Sequence, residues 1–371
     1  MTSIIYVGMD VHTTNYTLCC YSMEDDRFFA EVQVEPDAKN ILKYLARIEK
    51  QQSRDCRIVC GYEAGCLGYS LYHQLHAHGI DCVILAPTTM MTKPGKRIKT
   101  DRRDARLISK CLAFHTYSPV YIPTEVDDAV KEYIRMRDDA NSALARVKQQ
   151  IIAFCIRHGK IHDGKSYWTN KHLEWLSSLD LGNKILSEVL QEYLIRYYQL
   201  REQVDMYDMR INELAQAEPY RQKVEKLGCF RGIAAHTALS FCVEVGDFRR
   251  FATAQQFASY LGLVPGECSS GDKQQYTGIT KAGNSHLRKL LVETAQVFGR
   301  SATKSGKSVA LKERQAKCDS LTVAYADKAN ARLKKKYFKI AMRSKVNIAK
   351  TAVAREMACF IWGMMTDNIS C

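Results

Sequence analysis

The chain has 371 residues, 54 Lys+Arg against 40 Asp+Glu for a formal charge of +14, and 46% hydrophobic residues. No apolar run reaches the ~18 residues of a membrane span, so a membrane-embedded role is excluded. The opening MTSIIYVGMD lacks the basic, apolar and small-residue sequence of a secretory signal, so a secreted protein is not expected either.

The first third alternates strand-like and helix-like segments. Ile4–Met9, Tyr16–Tyr21 and Phe28–Val34 are short β-branched and aromatic runs between polar turns, which predict three antiparallel strands. Asp37–Glu49 has helical spacing through Ile41, Leu42, Tyr44, Leu45 and Ile48. Arg57–Tyr62 and Cys82–Leu85 read as further strands, with a helix over Leu67–His78 between them. Three strands followed by alternating helix and strand fit a ribonuclease-H-like α/β domain, a pattern that other mixed α/β folds share.

After Pro119 and Pro123 the chain turns to long helices. Val130, Tyr133, Arg137, Ala140, Leu144, Val147, Ile151 and Phe154 form a heptad seam with one arginine in it. Leu186, Leu190, Tyr193, Tyr197, Leu200, Val204, Tyr207, Ile211 and Leu214 form a second, uninterrupted one. With the polar break Gly159–Ser166 between them, they predict a coiled-coil arm that folds on itself or zips to another subunit. Glu218–Pro219 ends the arm. The division expected is an α/β domain at 1–118, a coiled-coil helical arm at 119–219, a compact helical segment at 220–300 and a basic helical region at 301–371.

Charge and cysteine both carry information. Ser301–Cys371 holds 15 Lys/Arg against 5 Asp/Glu, a surplus of +10 that leaves only +4 on residues 1–300. A basic tail on a near-neutral body points to a polyanion, most simply nucleic acid. The 14 cysteines are scattered and no CxxC pair occurs, which argues against a zinc ribbon or a redox motif and for small buried thiols in a reducing cytoplasm.

Four carboxylates stand where a phosphodiester-cleaving metal site would need them. Asp10 ends the first strand and Glu63 ends the run Ile58–Tyr62. Asp101 and Asp104 open a helix in Lys-Thr-Asp-Arg-Arg-Asp-Ala-Arg, with Thr100 as its expected cap and their i,i+3 spacing placing both on one face. In a ribonuclease-H-like sheet these positions meet at one edge. Carboxylates gathered there repel one another unless a cation neutralises them, and hard oxygen donors suit Mg²⁺ or Mn²⁺. Locally, Asp101 and Asp104 have Arg102, Arg103 and Arg106 as alternative partners. His12 is a candidate for a further phosphate or metal contact, though a lone histidine is more often structural.

A second constellation occupies 247–300. Gly262-Leu-Val-Pro is followed by Ser269-Ser270-Gly271, then Gly278-Ile-Thr-Lys281-Ala-Gly283-Asn284, then His286-Leu-Arg288. With these motifs the chain resembles the DEDD transposase family, the insertion-sequence recombinases akin to pilin-gene invertases, over nearly its whole length. The resemblance implies a RuvC-like first domain with Asp10, Glu63, Asp101 and Asp104 as the Asp-Glu-Asp-Asp metal-binding and catalytic set. It implies a transposase domain in which Ser270 is the nucleophile, with Gly271 after it. It further implies a structured non-coding bridge RNA that pairs with donor and target DNA, and a dimer to tetramer whose composite sites join domains of different subunits, in the bacterial cytoplasm at the nucleoid. The stretch from Phe230 to His236 resembles a helix-hairpin-helix DNA clamp, with Ala234 where relatives carry a second glycine.

The residues support the same chemistry on their own. A serine attacking a phosphodiester conserves the bond energy in a phosphoserine link, so strands exchange without ATP. Lys281 and Arg288 are placed to stabilise the oxyanion or to anchor phosphates. Gly278 and Gly283 are expected to permit close backbone approach. Arg332, Lys334, Lys335, Lys336, Lys339, Arg343 and Lys345 are expected to bind phosphates without reading sequence. The alternatives are a junction-resolvase-like endonuclease that hydrolyses with metal-activated water, Ser270 being structural, and a non-catalytic nucleic-acid scaffold.

Overall fold

The computed structural model describes residues 3–52, 56–65, 67–90, 100–267, 275–300 and 306–369. It divides into two compact units, Met1–Ile122 and Pro123–Cys371.

The first unit is a five-stranded sheet flanked by helices. Its elements are β1 (Ser3–Val11), β2 (Tyr16–Ser22), β3 (Arg27–Val34), α1 (Ala38–Gln51), β4 (Cys56–Glu63), α2 (Ser70–Ala77), β5 (Asp81–Leu85) and α3 (Asp101–Ala113). The strand order is β3-β2-β1-β4-β5, with β2 antiparallel to both β1 and β3, and with β4 parallel to β1 and β5 parallel to β4. Alternation along the strands sorts the side chains onto two faces. Ile5, Val7, Met9, Cys60, Tyr62 and Ile84 pack against Ile41, Leu45 and Ile48 of α1 and Leu71 and Leu75 of α2. Tyr6, Tyr21 and Leu85 pack against Ile108, Cys111 and Leu112 of α3. Gly8 makes that second face possible: a Cβ there would stand 2.0 Å from the Ala105 carbonyl oxygen and 2.4 Å from the Ser109 nitrogen. Only hydrogen at this position lets α3 lie against β1.

The second unit is helical. A long antiparallel pair, α4 (Glu125–Arg157) and α6 (Lys184–Gln216), is bridged at its far end by α5 (Asn170–Ser177), a helix the sequence pattern does not predict. Leu144, Val147, Ile151 and Phe154 of α4 pack with Leu190, Leu194, Tyr197 and Val204 of α6 and with Leu173 and Leu176 of α5. The arginine in the first seam is explained by its partner. Arg137 donates from Nε to Asp208 Oδ1 at 2.7 Å and from Nη2 to Asp208 Oδ2 at 2.9 Å, a bidentate fork across the pair.

The remaining elements are α7 (Arg221–Gly228), α8 (Ala235–Val245), α9 (Ala254–Tyr260), β6 (Pro265–Glu267), β7 (Tyr276–Ile279), α10 (Ser285–Ala295), α11 (Val309–Gln315), α12 (Ser320–Ala341) and α13 (Val346–Met365). One core holds them, from Val130 and Ile211 at the base of the arm through Phe241, Phe257 and Leu291 to Leu333, Met357 and Ile361. Among the described residues no helix is long and apolar enough to cross a membrane. Eleven described cysteines are free thiols and eight are buried, so they serve as small core residues. Burial pushes the Cys82 and Cys242 thiols up to about 12, far from reactive.

Candidate functional site

The carboxylates of the first unit collect at the carboxyl-end edge of β1 and β4. Asp10 lies on the α3 face, two residues beyond Gly8. The register pair Met9–Tyr62 places Glu63 beside Asp10 one step further along. Asp10, His12 and Asp101 each bring a ligand atom to within 4.8 Å of one another. Asp104 follows one helical turn after Asp101 and also acts on Asp10 electrostatically. Glu63 is exposed at the end of β4 and stands outside that group of three.

The electrostatics of Asp10 are those of an unneutralised cluster. Its side chain is 14% exposed, and Oδ2 is buried without a hydrogen-bond partner among the described residues, 3.3 Å from His12 Nε2. Burial pushes its carboxyl up; His12 opposes this, and Asp101 and Asp104 add to it. Such an oxygen, beside two further carboxylates, fits a hard divalent cation.

Two of the local arginines are engaged elsewhere. Arg102 and Arg106, both on α3, reach Glu31 of β3 instead, with Nε at 3.2 Å from Oε1 and 2.7 Å from Oε2 respectively. Arg106 also lies over the Phe28 ring. Two of the three arginines that the sequence offers to Asp101 and Asp104 are thereby taken by a residue about 70 positions away in the chain. Thr100 stands at the helix N-cap in extended conformation but makes no side-chain cap hydrogen bond, against expectation. Asp101 and Asp104 in the first turn complement the helix dipole in its place.

In the second unit β6 and β7 pair antiparallel, Pro265 opposite Ile279 and Glu267 opposite Tyr276. The residues joining them, including Ser269, Ser270 and Gly271, lie outside the described residues. Lys281 is exposed with a left-handed φ of 56°. Arg288 donates from Nη1 to the Leu261 and Ala282 carbonyls at 2.9 and 3.2 Å, fastening the hairpin's two ends together. Gly283, at φ 75°, is required by the fold itself: a Cβ there would stand 2.0 Å from the Tyr260 carbonyl oxygen. Gly278 has open space where a Cβ would go. Between α7 and α8 the chain turns at Gly232, φ 87°, and Ala234 caps α8 with no side-chain bond.

The basic residues of α12 and of the turn that follows it divide into two groups. Arg332 and Lys336 both pair with Glu356 of α13, Lys336 Nζ lying 2.6 Å from Oε2. Lys335, Lys339, Arg343 and Lys345 are exposed, and Lys334 is half-buried. Sequence reasoning gives no role to Glu244 or Asp138, which the fold gathers around His286; their wide spacing in the chain leaves no local signal.

Residues 7–156 match the DEDD transposase family of IS110, and residues 225–314 match the family described as "Transposase IS116/IS110/IS902 family". The putative transposase y4qE of Sinorhizobium fredii is 36% identical over 307 residues, 82% of this chain and 75% of that protein. The transposase for insertion sequence element IS1533 of Leptospira borgpetersenii is 32% identical over 340 residues, 90% of this chain and 95% of its own. The transposase for IS1111A of Coxiella burnetii is 26% identical over 268 residues, 69% and 71% of the two chains. With an acidic edge in the first matched segment and two relatives above 30% identity along most of their length, the chain belongs to the IS110 family of DEDD transposases, enzymes that cleave and rejoin DNA.

Proposed function

We propose that this transposase cuts and joins DNA through a phosphoserine intermediate at Ser270, assisted by a Mg²⁺ or Mn²⁺ site of Asp10, Glu63, Asp101 and Asp104 on a RuvC-like, ribonuclease-H-like domain. The observation that carries the metal half is the buried Oδ2 of Asp10, which has no hydrogen-bond partner among the described residues and gathers with Asp101 and His12. The serine half rests on the resemblance of the Ser270-Gly271 and Lys281…Arg288 motifs.

Asp10, Asp101 and Asp104 would hold the cation, with Glu63 completing the set from β4 and His12 favouring Mn²⁺ by its nitrogen donor. When bound, the cation neutralises the clustered carboxylates and stabilises negative charge on the phosphodiester oxygens. The serine Oγ gives up its proton to a base and attacks phosphorus, and the bond to the deoxyribose oxygen breaks as the phosphoserine bond forms, the leaving oxygen taking up a proton. Attack by the hydroxyl of another DNA end reverses these bond changes on a new partner and frees the serine. Lys281 and the exposed Lys335, Lys339, Arg343 and Lys345 supply phosphate contacts. In this reading a bridge RNA chooses the donor and target by base pairing, as in other RNA-guided enzymes. The α4–α6 coiled coil contributes to a dimer or tetramer, and the protein works at the bacterial nucleoid.

The test is a covalent trap. Purified protein with the non-coding RNA of its element, Mg²⁺ and a labelled nicked donor–target duplex is run on a denaturing gel beside Ser270→Ala. A DNA–protein band that disappears in the variant supports the proposal. Cleavage without an adduct, retained in Ser270→Ala and abolished in Asp10→Ala, overturns it in favour of hydrolysis by activated water.

A further inference from the structure

Glu244, in the last turn of α8, has its side chain only 3% exposed, in the helical core. Its Oε1 accepts from His286 Nδ1 at 2.7 Å and from Arg135 Nη2 at 3.4 Å. Its Oε2 accepts from Asn284 Nδ2 at 2.5 Å. The other nitrogen of His286 lies 2.7 Å from Asp138 Oδ2 on α4. Asp138 is held in turn by His236 Nε2 of α8 at 2.9 Å and by Arg137 Nη1 at 3.1 Å. With a carboxylate oxygen facing each ring nitrogen, both nitrogens of His286 must carry hydrogen, so the ring is an imidazolium. Arg135, Arg137 and His286 thus balance Glu244, Asp138 and Asp208.

This relay ends at the neck of the β6–β7 hairpin. Asn284 donates its backbone N–H to the Tyr260 carbonyl at 2.9 Å, Lys281 to Gly262 at 3.1 Å and Thr280 to Val264 at 2.9 Å. The Tyr260 hydroxyl donates to the Glu244 carbonyl at 3.3 Å. Glu244 therefore grips both sides of the neck, by its main chain on the Tyr260 side and by its carboxylate on the Asn284 side. Burying a charged carboxylate and an imidazolium is a poor route to stability compared with apolar packing. Its gain is a fixed geometry.

We propose that Glu244, with His286 and Asp138, is a positioning relay that fixes the neck of the β6–β7 hairpin against arm helix α4 and so aims the nucleophile carried between the two strands. The aiming rests on the serine reading above; the fixing of the neck does not. The relay also joins α4 to the neck of the hairpin.

The test exchanges donor and acceptor across one hydrogen bond. Glu244→Gln alone turns one acceptor oxygen into an N–H₂ that opposes a donor, Asn284 Nδ2 or His286 Nδ1, whichever way the amide lies, and Asn284→Asp alone sets two carboxylates against each other while keeping the α10 cap on Leu287. Together, the Gln amide donates to the new Asp and the bond returns. In single-turnover cleavage of a labelled duplex of the element's end, with its RNA and Mg²⁺, each single variant should be slower by about 10-fold or more. DNA affinity, read by fluorescence anisotropy, should stay within about two-fold, and the double variant should recover most of the missing rate. Hydrogen exchange of peptides across 262–284 should quicken in the singles and return in the double, with α12 and α13 unchanged. Single variants at wild-type rate and exchange, or a double variant no better than the singles, would overturn the relay. If Ser270→Ala cleaves normally, the serine reading falls alone, and the exchange measurement still decides whether the neck is held by Glu244.

Discussion

Gly8→Ala tests how the acidic edge is built. The new Cβ would stand 2.0 Å from the Ala105 oxygen and 2.4 Å from the Ser109 nitrogen, both main-chain atoms of α3. Relaxed carbon contacts lie near ~3.5 Å, so α3 must withdraw by about 1–1.5 Å. That movement loosens Ile108 and Leu112 against the sheet, and overpacking of this kind costs about 1–3 kcal/mol. We expect the upper end, near ~3 kcal/mol, because the obstacle is backbone and cannot rotate away; this lowers the melting temperature of residues 1–122 by roughly 10 °C. The same movement carries Asp101 and Asp104 away from Asp10, and a displacement of about 1 Å at a reacting centre costs on the order of 100-fold in rate. Chain position supplies an internal control. The three tryptophans, Trp168, Trp175 and Trp362, all lie in the second unit. Thermal unfolding followed by amide circular dichroism should shift or split in Gly8→Ala, while tryptophan fluorescence keeps its wild-type midpoint. Overlapping dichroism curves together with unchanged Mn²⁺ affinity would refute the close approach of α3 and β1 as the feature that sets the carboxylate geometry.

Asp10→Asn removes a buried charge that repels Asp101 and Asp104, so it should raise metal-free stability while abolishing cleavage. Calorimetry should also show the disappearance of the stabilisation that Mn²⁺ confers, about 2.7 kcal/mol at 100 times Kd in the wild type. His286 is raised from 6.5 to about 9, because hydrogen bonds and attraction from Asp138 and Glu244 overcome the depressing effect of burial. Its contribution is complete below pH 6.5 and fades as pH rises through about 9, at most about 3 kcal/mol, so denaturant titrations from pH 6.5 to 9.5 should show falling stability that His286→Gln flattens. Replacing Lys335, Lys339 and Arg343 with Gln should weaken DNA binding and lower the slope of log affinity against log salt by up to about 0.9 for each phosphate no longer neutralised, with the thermal midpoint unchanged. Arg332→Gln should instead destabilise, because Glu356 loses a partner.

Short β-branched, aromatic and apolar runs bounded by polar turns are enough to locate the strands within a residue or two, since strands covered by helices must be apolar. The pattern predicts β1 over Ile4–Met9, and the strand spans Ser3–Val11; it predicts β4 over Arg57–Tyr62, and the strand spans Cys56–Glu63. The heptad spacing finds both long helices because packed helix pairs repeat every seven residues. What escapes is pairing at a distance. Arg102 and Arg106 sit beside Asp101 and Asp104 in the chain, and local reasoning offers them as partners; the fold delivers Glu31 from β3 instead. His12 has no sequence signature that separates a ligand from an ordinary turn histidine, and only the turn after β1 brings it to Asp10. Glu244 and Asp138 reach His286 across 42 and 148 residues, beyond any periodic signal.

These long-range pairings share a physical cause, and it bears on function. A sequence optimised only for stability would turn Arg102 or Arg106 toward the carboxylates of its own first turn, since a nearby opposite charge relieves their repulsion even at spacings other than the i,i+3 or i,i+4 of facing helix neighbours. Here the two arginines tie α3 to β3 through Glu31, while Gly8 lets the same helix press on β1. The helix is thus fixed at two strands, and its acidic first turn is held toward Asp10 without Arg102 or Arg106. Local consistency is given up where a cation and a phosphodiester would restore it, which is the pattern expected of a working site and not of a solvated acidic surface. Glu31→Gln should therefore act like a weaker Gly8→Ala: freed arginines would swing toward Asp101 and Asp104, Mn²⁺ affinity would fall, and metal-free stability would change little. A Glu31→Gln protein that binds Mn²⁺ as tightly as the wild type would show that the arginines have no part in keeping the edge charged.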